Sequence, residues 1–279
     1  MPTFSHDGID FAYLDEGEGE PIVLVHGFGS TKEINWVGPA WVSTLTRAGR
    51  RVIALDNRGH GASGKLYDSA AYDPAVMATD VAALMDHLSL SRADVMGYSM
   101  GGRISTCLAL AEPDRVRSLI LGGIGIHLVE GAGLPLTIAD ALRAPSLNDV
   151  TDPMGRMFRA FADQTKSDRE ALASCIVGSR RTLSREEVAR LAVPTLIAVG
   201  TKDDVAGAAA PLGALIPGAK VVDRISEAGR AGLARRGLFA ETLRTKETRP
   251  TQDDRGADGA TPDRIRAEKH HSCAAAPGA

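Results

Sequence analysis

No histidine stands between His127 and His270. The chain is also poor in aromatic residues (4%) and cysteine, and no apolar run approaches membrane-spanning length. Each shortage excludes something. Three widely separated cysteines, Cys107, Cys175 and Cys273, form neither a disulfide framework nor a metal-ligand spacing. Cys107 lies in an apolar helical run and reads as a buried free thiol. A net charge of −3 makes no electrostatic case for nucleic acid or an anionic membrane as partner. The opening stretch MPTFSHDGIDFAYLDEG is polar and acidic, without the apolar core of a secretion signal, so the expected location is cytoplasmic. No cofactor motif survives inspection, and the oligomeric state is left open.

What remains is an ordinary soluble composition, 44% hydrophobic and 24% charged. Its 279 residues suit one large α/β domain with room for an inserted subdomain. PIVLVHG (21–27), RVIALD (51–56), ADVMG (93–97), RSLILGG (117–123) and PTLIAVG (194–200) are continuous apolar runs rather than alternating ones. That pattern predicts strands of a parallel sheet covered on both faces. Helical stretches separate them. One is 73–90, with Asp73 as N-cap and Pro74 in the first turn; another is 101–113, stopped by Pro113. The alternation implies βαβ units with right-handed crossovers.

Residues 126–193 break it, carrying four helical patterns and no convincing strand. They are expected to form a helical cap inserted over the strand ends, with residues 1–125 and 194–246 as the core. After Asp223 the composition changes. Between Arg224 and Ala279, Leu, Ile, Val and Phe together number six, against eleven Ala and nine Arg. Residues 247–279 are therefore expected to be a disordered tail.

The chemistry-bearing stretch is VMGYSMGG. Gly97-Tyr98-Ser99-Met100-Gly101 is a G-x-S-x-G placed between a strand and a helix. A serine there sits on a tight turn, and glycines two residues either side relieve crowding around it. Upstream, VHGFGS (25–30) puts a Gly-rich loop after a strand, suited to offering backbone N–H groups to an oxyanion. LDNRGHGASG (55–64) follows the next strand. Residues 59–66, GHGASGKL, also satisfy a phosphate-loop spacing, but Leu66 stands where a Mg²⁺-binding Ser or Thr is required.

With these three elements in this order, the chain resembles the serine branch of the α/β-hydrolase fold superfamily from about Phe4 to Asp223. The resemblance implies an α/β-hydrolase fold, a mostly parallel sheet flanked by helices. It implies Ser99 as nucleophile, the Phe28 and Met100 N–H groups as oxyanion hole, and no metal or cofactor. Asp203, in GTKDD, takes the position of the family's acid, with Asp204 as the alternative. His26 and His60 precede the serine and are read as shaping the loops around it. His87 is read as a surface or packing residue. His127, opening the cap, lines the pocket or plays a plain structural part. The implied activity is hydrolysis of a small ester or related acyl substrate.

The resemblance also requires a histidine in the loop after the last strand. AKVVDRI (219–225) reads as that strand, and SEAGRAG follows it. Nothing there can serve: Glu227 is too weak a base and Arg230 stays protonated. Three readings stay open. His270 or His271 folds back into the site; catalysis has been lost and a ligand-binding or regulatory pocket kept; or the reading frame shifted near Asp223.

Overall fold

The computed structural model describes residues 1–131 and 133–224. The expectations for the loop at 226–232, the end of the core to 246, the tail, His270 and His271 lie outside the described residues.

Eight strands form one sheet. They are β1 (Thr3–His6), β2 (Ile9–Glu16), β3 (Glu20–Val25), β4 (Arg50–Leu55), β5 (Ala93–Tyr98), β6 (Val116–Gly122), β7 (Thr195–Gly200) and β8 (Lys220–Arg224). Their order is β1-β2-β4-β3-β5-β6-β7-β8. Pairing is antiparallel at β1/β2 and β2/β4, and parallel from β4 to β8. All six sequence-predicted strands are present, within a residue or two of their expected bounds. The N-terminal hairpin goes beyond the sequence reading, which took this stretch only as polar and acidic. Asp7 (φ 49°) and Gly8 (φ 74°) make its two-residue turn, the geometry that matches strand twist.

Continuous apolar strands follow from two covered faces. Val23, Val95, Leu121 and Ile197 belong to the core shared with α2 (Pro74–His87), α3 (Met100–Ala111) and α9 (Ala209–Leu215). Their chain neighbours Leu24, Met96, Ile120 and Leu196 pack with Trp36 and with Trp41 and Leu45 of α1 (Trp41–Arg47). Alternate residues thus meet different layers, and each must be apolar. As the sequence indicates, the Asp73 side chain accepts from the Ala75 N–H at the start of α2, and Cys107 is a buried free thiol.

Between β6 and β7 lie α4 (His127–Glu130), α5 (Thr137–Arg143), α6 (Pro153–Gln164), α7 (Arg169–Gly178) and α8 (Arg185–Ala189). Ile138, Leu142, Ala162, Leu172 and Ile176 form a small core of their own, against which Phe28 packs. Among the described residues no helix is long and apolar enough to cross a membrane.

Register places the site. Val25 pairs with Gly97, Gly97 with Leu121, and Gly122 with Ala198. The segments leaving β3, β5, β6 and β7 therefore emerge from one sheet edge, where α/β proteins bind ligands.

Candidate active site

At that edge the chain turns from β5 into α3 at Ser99, whose φ of 53° and ψ of −114° lie outside the regions open to ordinary L-residues. A conformation of this kind costs about 1–3 kcal/mol and persists only where surroundings impose it. Here the surroundings are glycine contacts. A Cβ on Gly101 would lie 2.1 Å from the Val25 carbonyl oxygen, and one on Gly97 2.2 Å from the Gly101 oxygen. The start of α3 is thereby pressed onto β3 and β5. The Ser99 N–H donates to the Gly122 carbonyl at 2.8 Å, and the Ser99 carbonyl accepts from Gly102 N–H at 2.8 Å.

Ser99 lines a pocket together with Phe28, Met100, Arg103, His127 and Arg180. The Met100 N–H, in the first turn of α3, and the Phe28 N–H have no acceptor among the described residues. Orphan first-turn donors at a helix start favour negative charge.

The loop carrying Phe28 is held by two buried histidines, consistent with the loop-shaping part read for them in the sequence. The Asn57 N–H donates to His26 Nε2 at 3.0 Å, and His26 Nδ1–H donates to the Gly27 carbonyl at 2.8 Å. Likewise the Gly29 N–H donates to His60 Nε2 at 3.1 Å, and His60 Nδ1–H to the Arg58 carbonyl at 2.8 Å. Each ring faces one donor and one acceptor, so each is neutral with its proton on Nδ1. Beneath them Asp56 accepts from the Lys32 N–H (2.9 Å), Lys32 Nζ (2.7 Å) and Ala62 N–H (2.9 Å). Burial alone would raise Asp56, but these bonds hold it below the usual carboxylate range.

Burial lowers the pKa of both rings, His60 to about 3, with His26 beside it pushing the same way. An unfolded histidine titrates near 6.5. Below that pH the unfolded chain binds more protons than the folded one, so stability falls as pH drops from about 6.5 toward 3. Urea denaturation midpoints should decline steadily over this window. A midpoint that stays constant from pH 6.5 to 4 would show that the rings are not held neutral.

Asp203 follows β7 at the same sheet edge. Its Oδ1 accepts from the N–H groups of Val205 (3.2 Å) and Ala206 (3.0 Å), both of which line the pocket. Asp204 is exposed. The carbonyl of Val205 accepts from His127 Nδ1–H at 3.0 Å. The structure thus brings Ser99, Phe28, Met100 and His127 around one pocket and sets Asp203 in the turn beside it. No histidine bonds to Asp203 among the described residues. His87 packs at 5.7 Å from the Phe4 ring and contacts Tyr13 Oη at 3.2 Å, away from this pocket. Lys65, the lysine of the phosphate-loop look-alike, gives its ammonium to the His60, Gly61 and Ser63 carbonyls of its own loop. Two pocket residues escaped the sequence reading, Arg103 and Arg180. Arg103 falls one helical turn after Ser99, so spacing could have flagged it; nothing local marks Arg180.

The family model for the alpha/beta hydrolase fold matches residues 20–134. A non-heme chloroperoxidase of Streptomyces lividans is 31% identical over 227 residues, which is 71% of this chain and 80% of that protein. The dihydrolipoyllysine-residue acetyltransferase component of an acetoin cleaving system from Pseudomonas putida is 35% identical over 178 residues. That match spans 63% of this chain and only 44% of the relative. Among solved structures, an esterase from Exiguobacterium antarcticum superposes with a TM-score of 0.68 at 26% identity, covering 86% of this chain and 96% of that one. With its fold, elbow and relatives in agreement, the chain belongs to the α/β-hydrolase superfamily.

Proposed function

We propose that this chain is a serine hydrolase acting on a small ester or related acyl substrate. The observation carrying the reading is Ser99, held at a strained strand-to-helix elbow and lining a pocket beside unclaimed N–H donors. Ser99 Oγ attacks the substrate carbonyl. The developing oxyanion is met by the Phe28 and Met100 N–H groups, donors already in place before charge forms. The alcohol leaves with a proton, and water then releases the acyl group from Ser99. In this reading Asp203 is the acid that would orient a histidine base. The helices between β6 and β7 act as a cap over the acyl pocket. The partner is a small molecule rather than nucleic acid or membrane, and the protein works in the cytoplasm.

Deprotonating Ser99 is the weak step, because a serine hydroxyl is almost wholly protonated at neutral pH and residues 226–232 include no histidine. The impairment is part of the proposal. A chromogenic short-chain ester assay on wild type and Ser99→Ala tests the reading. The substitution should lower the rate at least about tenfold, leaving only what the oxyanion donors and binding supply. Equal rates would leave a ligand-binding protein that has kept a hydrolase pocket.

A further inference from the structure

Two guanidinium groups line the Ser99 pocket without a counter-charge among the described residues. Arg103 projects from α3 and Arg180 follows α7. Among the described residues no Asp or Glu lines the pocket, and neither arginine has an ion-pair partner. Arg103 donates to the carbonyls of Leu128 (3.3 Å), Arg181 (3.0 Å) and His127 (2.5 Å), and Arg180 to that of Leu134. These bonds fix the side chains but neutralise nothing. Other arginines nearby are treated differently. Arg181 lies 3.6 Å from Asp73 and 3.7 Å from Glu187, Arg185 3.2 Å from Glu130, and Arg143 2.7 Å from Glu170. Burial lowers the pKa of the Arg103 guanidinium, and the charge of Arg180 adds to the effect. Two cations that repel one another in a partly buried pocket are stabilised by an anion between them.

The rest of the lining narrows the anion's chemistry. Phe28, Met100, Ile124, Leu134 and Ile176 make the wall largely apolar, so the ligand has a hydrocarbon body and a charged end. A planar carboxylate fits a guanidinium fork with two parallel hydrogen bonds. We infer that the pocket selects acyl substrates bearing a free carboxylate, gripped by Arg180 and Arg103 while Ser99 faces the reacting carbonyl. Half-esters of short dicarboxylic acids and esters of oxo-acids are the chemical class. This rests on the Ser99 pocket being the acyl site.

Binding separates the two readings. Full-length protein carrying Ser99→Ala, which cannot turn substrate over through Ser99, is titrated calorimetrically with monomethyl glutarate, dimethyl glutarate and inorganic phosphate. The monoester should bind about tenfold more tightly than the neutral diester, the scale of one charge-assisted contact. Arg180→Gln should reduce that preference to about twofold, and Arg180→Lys, which keeps the charge without the fork, should fall between. Ratios of two ligands on one protein cancel any general damage to the fold. Equal affinity for monoester and diester overturns the inference, as does phosphate binding as tightly as the monoester. Wild-type rates complete the test. A carboxylate preference in binding with no Ser99-dependent turnover keeps the anion site and sinks the hydrolase reading. Ser99-dependent hydrolysis of neutral and anionic p-nitrophenyl esters at one rate, with no binding preference, does the reverse.

Discussion

Hydrolysis of a chromogenic short-chain ester by this chain is expected to run about 10²–10⁴-fold below that of a superfamily relative with a histidine in the loop after its last strand. The factor is the usual contribution of a placed general base, and it can be larger where nucleophile, base and acid act as a unit. Ser99 has the elbow, with the Phe28 and Met100 N–H groups beside it free of an acceptor among the described residues, and Asp203 lies at the same sheet edge, but residues 226–232 read SEAGRAG. The remaining candidates are His270 and His271, 67 and 68 residues after Asp203 in the sequence. Chain length lets them reach; holding the intervening polar residues in one arrangement carries an entropic cost of about 1–2 kcal/mol per ordered residue. Little in RAEKHHSCAAA supplies apolar burial to offset it. Three proteins should therefore share one low rate: the full chain, the double variant His270→Ala/His271→Ala, and a truncation after Lys246. A large drop in both altered proteins would instead identify a tail histidine as the base.

Gly101→Ala should cost about 3 kcal/mol or more, near the upper end for single substitutions, because the added atom meets backbone rather than a movable side chain. Its Cβ would sit 2.1 Å from the Val25 oxygen and 2.7 Å from that of His26. Val25 ends a strand paired on both sides, so it cannot retreat without dragging the sheet. If α3 moves instead, Ser99 leaves its elbow and activity falls with stability. Gly38→Ala is the control, since Gly38 has helical φ and a Cβ there would come no nearer than 3.4 Å to another atom, the Glu33 carbonyl oxygen. Urea denaturation of both variants checks this. A Gly101→Ala midpoint indistinguishable from that of the control would mean that the approach at the elbow is slack.

Much of this was legible in the chain because it depends on near neighbours. Runs such as IVLV and LIAV had to be strands covered twice, since each alternate residue meets a different apolar layer. G-x-S-x-G between a strand and a helix had to be a tight turn, because only glycine tolerates the approach at 97 and 101. The Asp7-Gly8 turn is equally local, an Asp-Gly pair ahead of the alternating Phe11 and Tyr13, although the acidic composition of this stretch masks it. Other features had no local signature. Asp203 engages two N–H groups of its own turn, and the Val205 carbonyl of that turn holds a histidine 78 residues earlier in the chain. Arg103, on α3, and Arg180, after α7, line the same Ser99 pocket although 77 positions separate them in the sequence. Periodicity settles which face of an element is buried. Which side chains from distant elements meet depends on crossovers and packing, and that is where the charge of the pocket was decided.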